Sequence, residues 1–121
     1  MSEPTTVILY VENVAASCGF YTALLDKAPV EQSPNFAMYA LASGAMLGLW
    51  AGHDVQPRPK GAGGGCELAI TAKDNAAVDG MHREWSGRGW GIAQKPVQMD
   101  FGYTFTALDP DGHRLRVMAL A

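Results

Sequence analysis

The chain repeats itself, and the repeat decides most of what it can become. In the first copy, Val7–Val11 is a short β-rich run. Asn13 follows as a helix N-cap. Val14, Cys18, Tyr21, Leu24 and Leu25 then fall on one helical stripe. A brief strand over 30–33 lies between Pro29 and Pro34. Residues 36–41 and 45–51 read as a hairpin around Ser43-Gly44. In the second copy, 67–72 is a strand and Asp74 a cap. Val78, Met81, His82 and Trp85 make the stripe, which Gly87, Gly89 and Gly91 end. Residues 92–95 are a short strand, and 103–120 form a closing hairpin. Its turn, Asp109-Pro110-Asp111-Gly112, joins a proline that presets φ to a glycine that tolerates positive φ. The copies agree in register. Adding 61 carries Leu9 to Ile70 and the Asn13 cap to the Asp74 cap; adding 68 carries Gly44 to Gly112 and Leu47 to Leu115.

Neither copy can bury a sheet face alone. The expected architecture is therefore α+β: one domain over 1–121 with two βαβββ modules, 5–51 and 66–120, joined by a linker at 52–65. The modules would form a cupped mixed sheet with the helices on its outer face. The linker, GHDVQPRPKGAGGG, fits no element and reads as partly mobile. Its GAGGG run is no phosphate loop, because a strand follows where a helix N-terminus is needed.

Composition removes several function classes. With 48% hydrophobic residues and a net charge of −3, the chain is globular. Its nine Lys and Arg are scattered, so no nucleic-acid partner is expected. No apolar run approaches the roughly 20 residues of a membrane helix. The start, MSEPTTV, has no signal-peptide pattern, and two cysteines make no disulfide framework. A cytoplasmic location is the expectation.

Leu9-Tyr10-Val11-Glu12-Asn13, Gly19-Phe20-Tyr21 and Asp109-Pro110-Asp111-Gly112-His113, with the βαβββ repeat, resemble the vicinal oxygen chelate superfamily. That superfamily includes glyoxalase I, extradiol dioxygenases and bleomycin-resistance proteins. The resemblance implies eight strands in two modules and a homodimer, often formed by strand or module exchange. In metal-dependent members, four positions facing the cup supply His, Glu or Gln ligands. Carried onto this chain they are Thr6, Gly48, Glu67 and Arg116. Only Glu67 has a metal-binding side chain, and a guanidinium cannot ligate a cation. His53, His82 and His113 do not fall on the cup. No metal and no cofactor is expected.

Strand alternation assigns the faces. Val7, Leu9, Val11, Leu47, Leu49, Leu68, Ile70, Leu115 and Val117 should meet the helices. The cup should hold Tyr10, Tyr39, Met46, Trp50, Glu67, Tyr103, Phe105, Arg114, Arg116 and Met118, with Phe36 and Tyr21 in the core. Gly48 beside Trp50 should leave room for a flat ring. Glu67 and Arg116 either neutralise each other or also contact a ligand. Trp90 and Phe101 sit in glycine-flanked loops, as rim, lid or anchor.

Among relatives, LGLWAG, CELAI and DPDGHRLRVMAL most resemble the phenazine-resistance type. The implied function is sequestration of a planar aromatic antibiotic or toxin, phenazine- or quinone-like, by a protein that is not an enzyme. The candidate ligand-binding residues are Tyr39, Met46, Trp50, Glu67, Trp90, Tyr103, Phe105 and Arg116, with no catalytic residue. Two other classes stay open. One is a superfamily enzyme (lyase, isomerase or dioxygenase) with displaced ligands or with Glu67 as base; the other is a small-molecule sensor.

Overall fold

The computed structural model describes residues 2–60 and 65–120. The phosphate-loop question at GAGGG, and most of the mobility expected of the linker's glycine run, thus fall on residues outside the described ones. The chain divides into two compact units, Met1–Gly61 and Ala62–Ala121.

Module one runs β1 (Thr6–Val11), α1 (Val14–Leu25), β2 (Glu31–Gln32), β3 (Phe36–Ala40), β4 (Met46–Ala51). Its four-stranded sheet has the order β1-β4-β3-β2, with β1 parallel to β4 and the other neighbours antiparallel. The helix begins where the Asn13 side chain accepts from the Ala16 amide at 3.0 Å. It ends at Asp26, whose φ of 54° is left-handed. Val14, Ser17, Cys18 and Tyr21 are buried on its inner side, and Leu9, Val11, Ala37, Tyr39, Leu47 and Leu49 are buried on the sheet. Each large apolar side chain so buried contributes on the order of 1.5–3 kcal/mol. The start of the linker is not elementless as expected: Gly52–Asp54 makes one 3-10 turn, and Val55 behind it is buried.

Module two runs β5 (Glu67–Thr71), α2 (Asn75–Gly87), β6 (Ile92–Met99), β7 (Gly102–Leu108), β8 (Arg114–Leu120). Its sheet order is β5-β8-β7-β6, the same topology. Asp74 caps α2 by accepting from the Ala77 amide at 2.8 Å. Val78 and Trp85 of the helix are buried, as are Phe105, Ala107, Leu115 and Val117 of the sheet.

The repeat is visible in the pairing. Thr6 pairs with Met46, and Glu67 with Arg114, so the offsets of 61 and 68 hold residue for residue. Most boundaries differ from expectation by one residue, and β6 by four. β6 does not stop at Lys95; it continues through Pro96 to Met99. Proline is tolerated there because β6 is an edge strand, and its register shifts between Gln94 and Val97.

Candidate functional site

Each sheet has one face under its helix and one facing away from it. The pairing register decides which residues share a face. Ala40 pairs with Met46 and Leu108 with Arg114, so each hairpin connection holds an odd number of residues. Odd-numbered residues therefore meet odd-numbered partners.

This corrects three of the expected site residues. Tyr39 pairs with Leu47 and lies on the helix face, fully buried. Its hydroxyl donates to the Cys18 carbonyl at 3.1 Å and shares a 2.9 Å hydrogen bond with Thr22 Oγ1 on α1. Burial pushes its phenol up to about 12. Phe105 pairs with Val117 under α2, fully buried, with its ring edge-on to His82 and Trp85 at 5.3 Å each. Tyr103 is on the same side; its hydroxyl donates to Asp79 Oδ1 of α2 at 2.7 Å. That carboxylate raises the phenol's pKa. Alternation alone cannot see a hairpin's register, and the expectation was off by one residue on β3 and β7. Conversely, Phe36, expected in the core, lies on the open face opposite Trp50.

Trp90 is an anchor. Its ring packs on Trp85 at 5.4 Å, the Arg88 guanidinium lies 5.0 Å from it, and its amide donates to the Trp85 carbonyl at 3.2 Å. It closes the C-terminal end of α2.

The open face of module one carries Met46, Trp50, Phe36, Ile8 and Tyr10. Tyr10 and Phe36 set their rings near-perpendicular to the Trp50 indole, at 6.4 Å and 6.5 Å. The indole N–H is already engaged, donating to Asp54 Oδ2 at 3.1 Å, so Trp50 presents only its π surface. The room expected over Gly48 is taken. A Cβ there would lie 3.3 Å from both Ile8 Cγ1 and Phe36 Cζ. Tyr10 remains 47% exposed and Ile8 43%, so this apolar face is open to solvent beside the indole.

The open face of module two is polar at its centre. Arg116 Nε donates to Glu67 Oε1 at 2.7 Å and Nη2 to Glu67 Oε2 at 2.9 Å, a bidentate pair. Nη1 donates to Gln94 Oε1 at 3.1 Å and Thr104 Oγ1 at 3.3 Å. These acceptors are themselves fixed. Thr106 donates to Gln94 Oε1 at 3.3 Å, and Thr104 donates to the Val117 carbonyl at 2.8 Å. The Phe101 ring, in the β6–β7 turn, has its centroid 5.8 Å from the guanidinium carbon. That turn is held close by Gly102: at φ 147°, a Cβ there would sit 2.1 Å from the Ala119 carbonyl oxygen. Arg116's hydrogen bonds hold the Glu67 carboxyl below its ordinary range, and the carboxylate raises Arg116 in turn. A general base needs the opposite shift.

Gln94, Thr104 and Thr106 were not among the sequence candidates. The threonines become visible once the register is known, since Thr106 pairs with Arg116. Gln94 lies within the expected strand 92–95, to which the sequence assigned no face; its pairing with Thr106 supplies one.

The positions implied for metal ligands do not fit one. Arg116 brings a fixed cation, and its hydrogen bonds occupy the one carboxylate, Glu67. Ligand atoms of Asp109, Asp111 and His113 lie within 4.8 Å of one another. That cluster builds the β7–β8 turn. Asp109 Oδ1 accepts from the Asp111 and His113 amides at 2.9 and 2.8 Å, and Oδ2 faces His113 Nδ1 at 2.7 Å. The buried Asp109 carboxylate raises the His113 pKa.

Comparison with known proteins agrees with this frame. The family model for the glyoxalase/bleomycin resistance protein/dioxygenase superfamily matches residues 4–117. The phenazine antibiotic resistance protein EhpR of Enterobacter agglomerans is 30% identical over 122 residues, covering 97% of this chain and 92% of that protein. The solution NMR structure of protein ATC0852 from Agrobacterium tumefaciens is 50% identical with a TM-score of 0.88, covering 100% of this chain and 99% of the other. A glyoxalase-related enzyme from Fulvimarina pelagi shares the fold at 21% identity, with a TM-score of 0.83 over 98% of this chain and 88% of its own.

Proposed function

The chain belongs to the glyoxalase/bleomycin resistance protein/dioxygenase superfamily, and from that premise we propose that it binds and sequesters a planar aromatic antibiotic or toxin without a metal. The observation that carries this reading is the Arg116–Glu67 pair. It occupies the implied metal position with a cation and lowers the Glu67 pKa, which works against both a divalent site and a carboxylate base. The likeness to a phenazine antibiotic resistance protein supports resistance by binding. Two surfaces support an aromatic ligand, each considered on its own module. On module one it is the Trp50 face with Tyr10, Phe36 and Met46. On module two it is the Phe101 ring beside the Arg116 network. A good aromatic stack adds about 0.5–1.5 kcal/mol beyond burial. The reading includes a homodimer working in the cytoplasm; light scattering on the purified protein tests the dimer.

Tryptophan fluorescence titrated with phenazine tests the function. The expected result is saturable quenching that is weakened in Trp50→Ala. Absence of quenching in the wild type, together with turnover of a glyoxalase or dioxygenase substrate, would replace the binding reading with the enzymatic one.

A further inference from the structure

The Arg116 network has a property that goes further than shape. An arginine poised to capture an anion keeps a free fork of parallel N–H groups and an uncompensated charge. Arg116 has neither. Its fork, Nε and Nη2, is closed on both oxygens of Glu67, and Nη1 is engaged by Gln94 and Thr104. Gln94 cannot swing away freely, because Thr106 donates to its oxygen and its own amide nitrogen lies 3.5 Å from Met99 Sδ. Phe101 lies over the guanidinium. What the pair still offers to an incoming group is an outer N–H on Nη2 next to an outer lone pair on the Glu67 carboxylate. That is one donor beside one acceptor, with no net charge.

We propose that the Glu67–Arg116 pair selects uncharged planar ligands that carry a neighbouring hydrogen-bond acceptor and donor, a primary carboxamide for example, and discriminates against the corresponding carboxylate. The inference rests on the planar-aromatic reading above and names the ligand class of that same surface. A carboxamide oxygen accepts from Nη2 while its N–H donates to Glu67. A carboxylate accepts equally well at one oxygen but sets its second oxygen against the Glu67 carboxylate, where nothing donates. Among the described residues of β5 and β8, a second cation on this face is Arg114, exposed and paired in register with Glu67. Its attraction for an anion is a solvated surface effect. It is removed in about 1 M salt, where the Debye length is roughly 3 Å.

Phenazine-2-carboxamide and phenazine-2-carboxylate, titrated into the wild-type protein and Glu67→Gln at pH 7.5 and that salt (about 1 M), test it. The wild type should bind the amide about tenfold or more tightly, the scale of one charge-assisted hydrogen bond. In Glu67→Gln the competing carboxylate is gone and Arg116 is uncompensated, so the preference should reverse. Equal binding, or a wild-type preference for the carboxylate, would overturn the proposal while leaving the planar-aromatic reading in place. So would an amide preference unchanged in Glu67→Gln. Binding of neither compound would overturn the planar-aromatic reading and this inference with it. If Glu67→Gln does not fold, the wild-type comparison alone still decides.

Discussion

Replacing Glu67 by alanine probes what holds the polar face of module two together. The substitution removes two charge-assisted hydrogen bonds, at 2.7 and 2.9 Å, from a guanidinium whose side chain is 16% exposed. A fully exposed ion pair is worth about 0.2–1 kcal/mol. Orphaning one partner of a fully buried pair costs about 3–5 kcal/mol. Here the Glu67 side chain is 31% exposed, and Gln94 and Thr104 still hold Nη1. The expected loss lies between the limits, about 1.5–2.5 kcal/mol. For a chain of this length that corresponds to roughly 5–15 °C in Tm. Urea unfolding of the wild type, Glu67→Ala, Arg116→Met and the double variant would isolate the pair. The coupling energy should be about 1–2 kcal/mol. The pH dependence has a fixed sign. Glu67 has a depressed folded-state pKa. Its contribution is therefore complete above the unfolded value and lost as pH falls through the folded one. The gap between wild type and Glu67→Ala should close in acid. A coupling energy near zero at neutral pH would refute the reasoning, since it would mean that water screens the pair.

Three other outcomes follow from single contacts. Gly102→Ala should destabilise strongly and lower aromatic-ligand affinity, because its Cβ would meet the Ala119 carbonyl oxygen at 2.1 Å and the Phe101 turn must lift; a Tm within a degree or so of wild type would show that the turn adapts freely. Tyr39→Phe should cost about 1–1.5 kcal/mol in urea unfolding through its buried hydroxyl, while leaving phenazine affinity unchanged, because Tyr39 lies under α1; a loss of affinity at equal stability would contradict its placement on the helix face. His113 has a raised folded-state pKa, chiefly through its hydrogen bond to Asp109. Its contribution is therefore complete below the unfolded value and declines as pH rises through the folded one. A stability difference between wild type and His113→Gln that grows with rising pH would contradict that.

Much of this fold was legible because both halves carry the same signals. The Asn13 and Asp74 caps, the helix stripes and the two offsets are local or repetitive, and the structure keeps them all. The Glu67–Arg116 pair was legible too, since strand parity and the positions implied by the family resemblance put both residues on the cup, and the pairing of β5 with β8 brings them into contact. What failed was non-local or one residue wide. Tyr39, Tyr103 and Phe105 were put on the wrong face because a hairpin's register depends on its turn, which alternation within one strand does not report. Gln94 was overlooked because nothing in the sequence assigned a face to its short strand; its pairing with Thr106, beside a register shift, does so. The space imagined over Gly48 was filled by neighbours from two other strands, Ile8 and Phe36, which only the assembled sheet brings together.

Metal-free binding is most directly tested by calorimetric titration of phenazine into protein stripped with a strong chelator, repeated after adding back zinc, manganese or iron(II). The predicted result is saturable binding by the stripped protein that none of the metals changes. Binding that appears only once a metal is restored would contradict the assignment of Arg116 and Glu67 to a metal-free site.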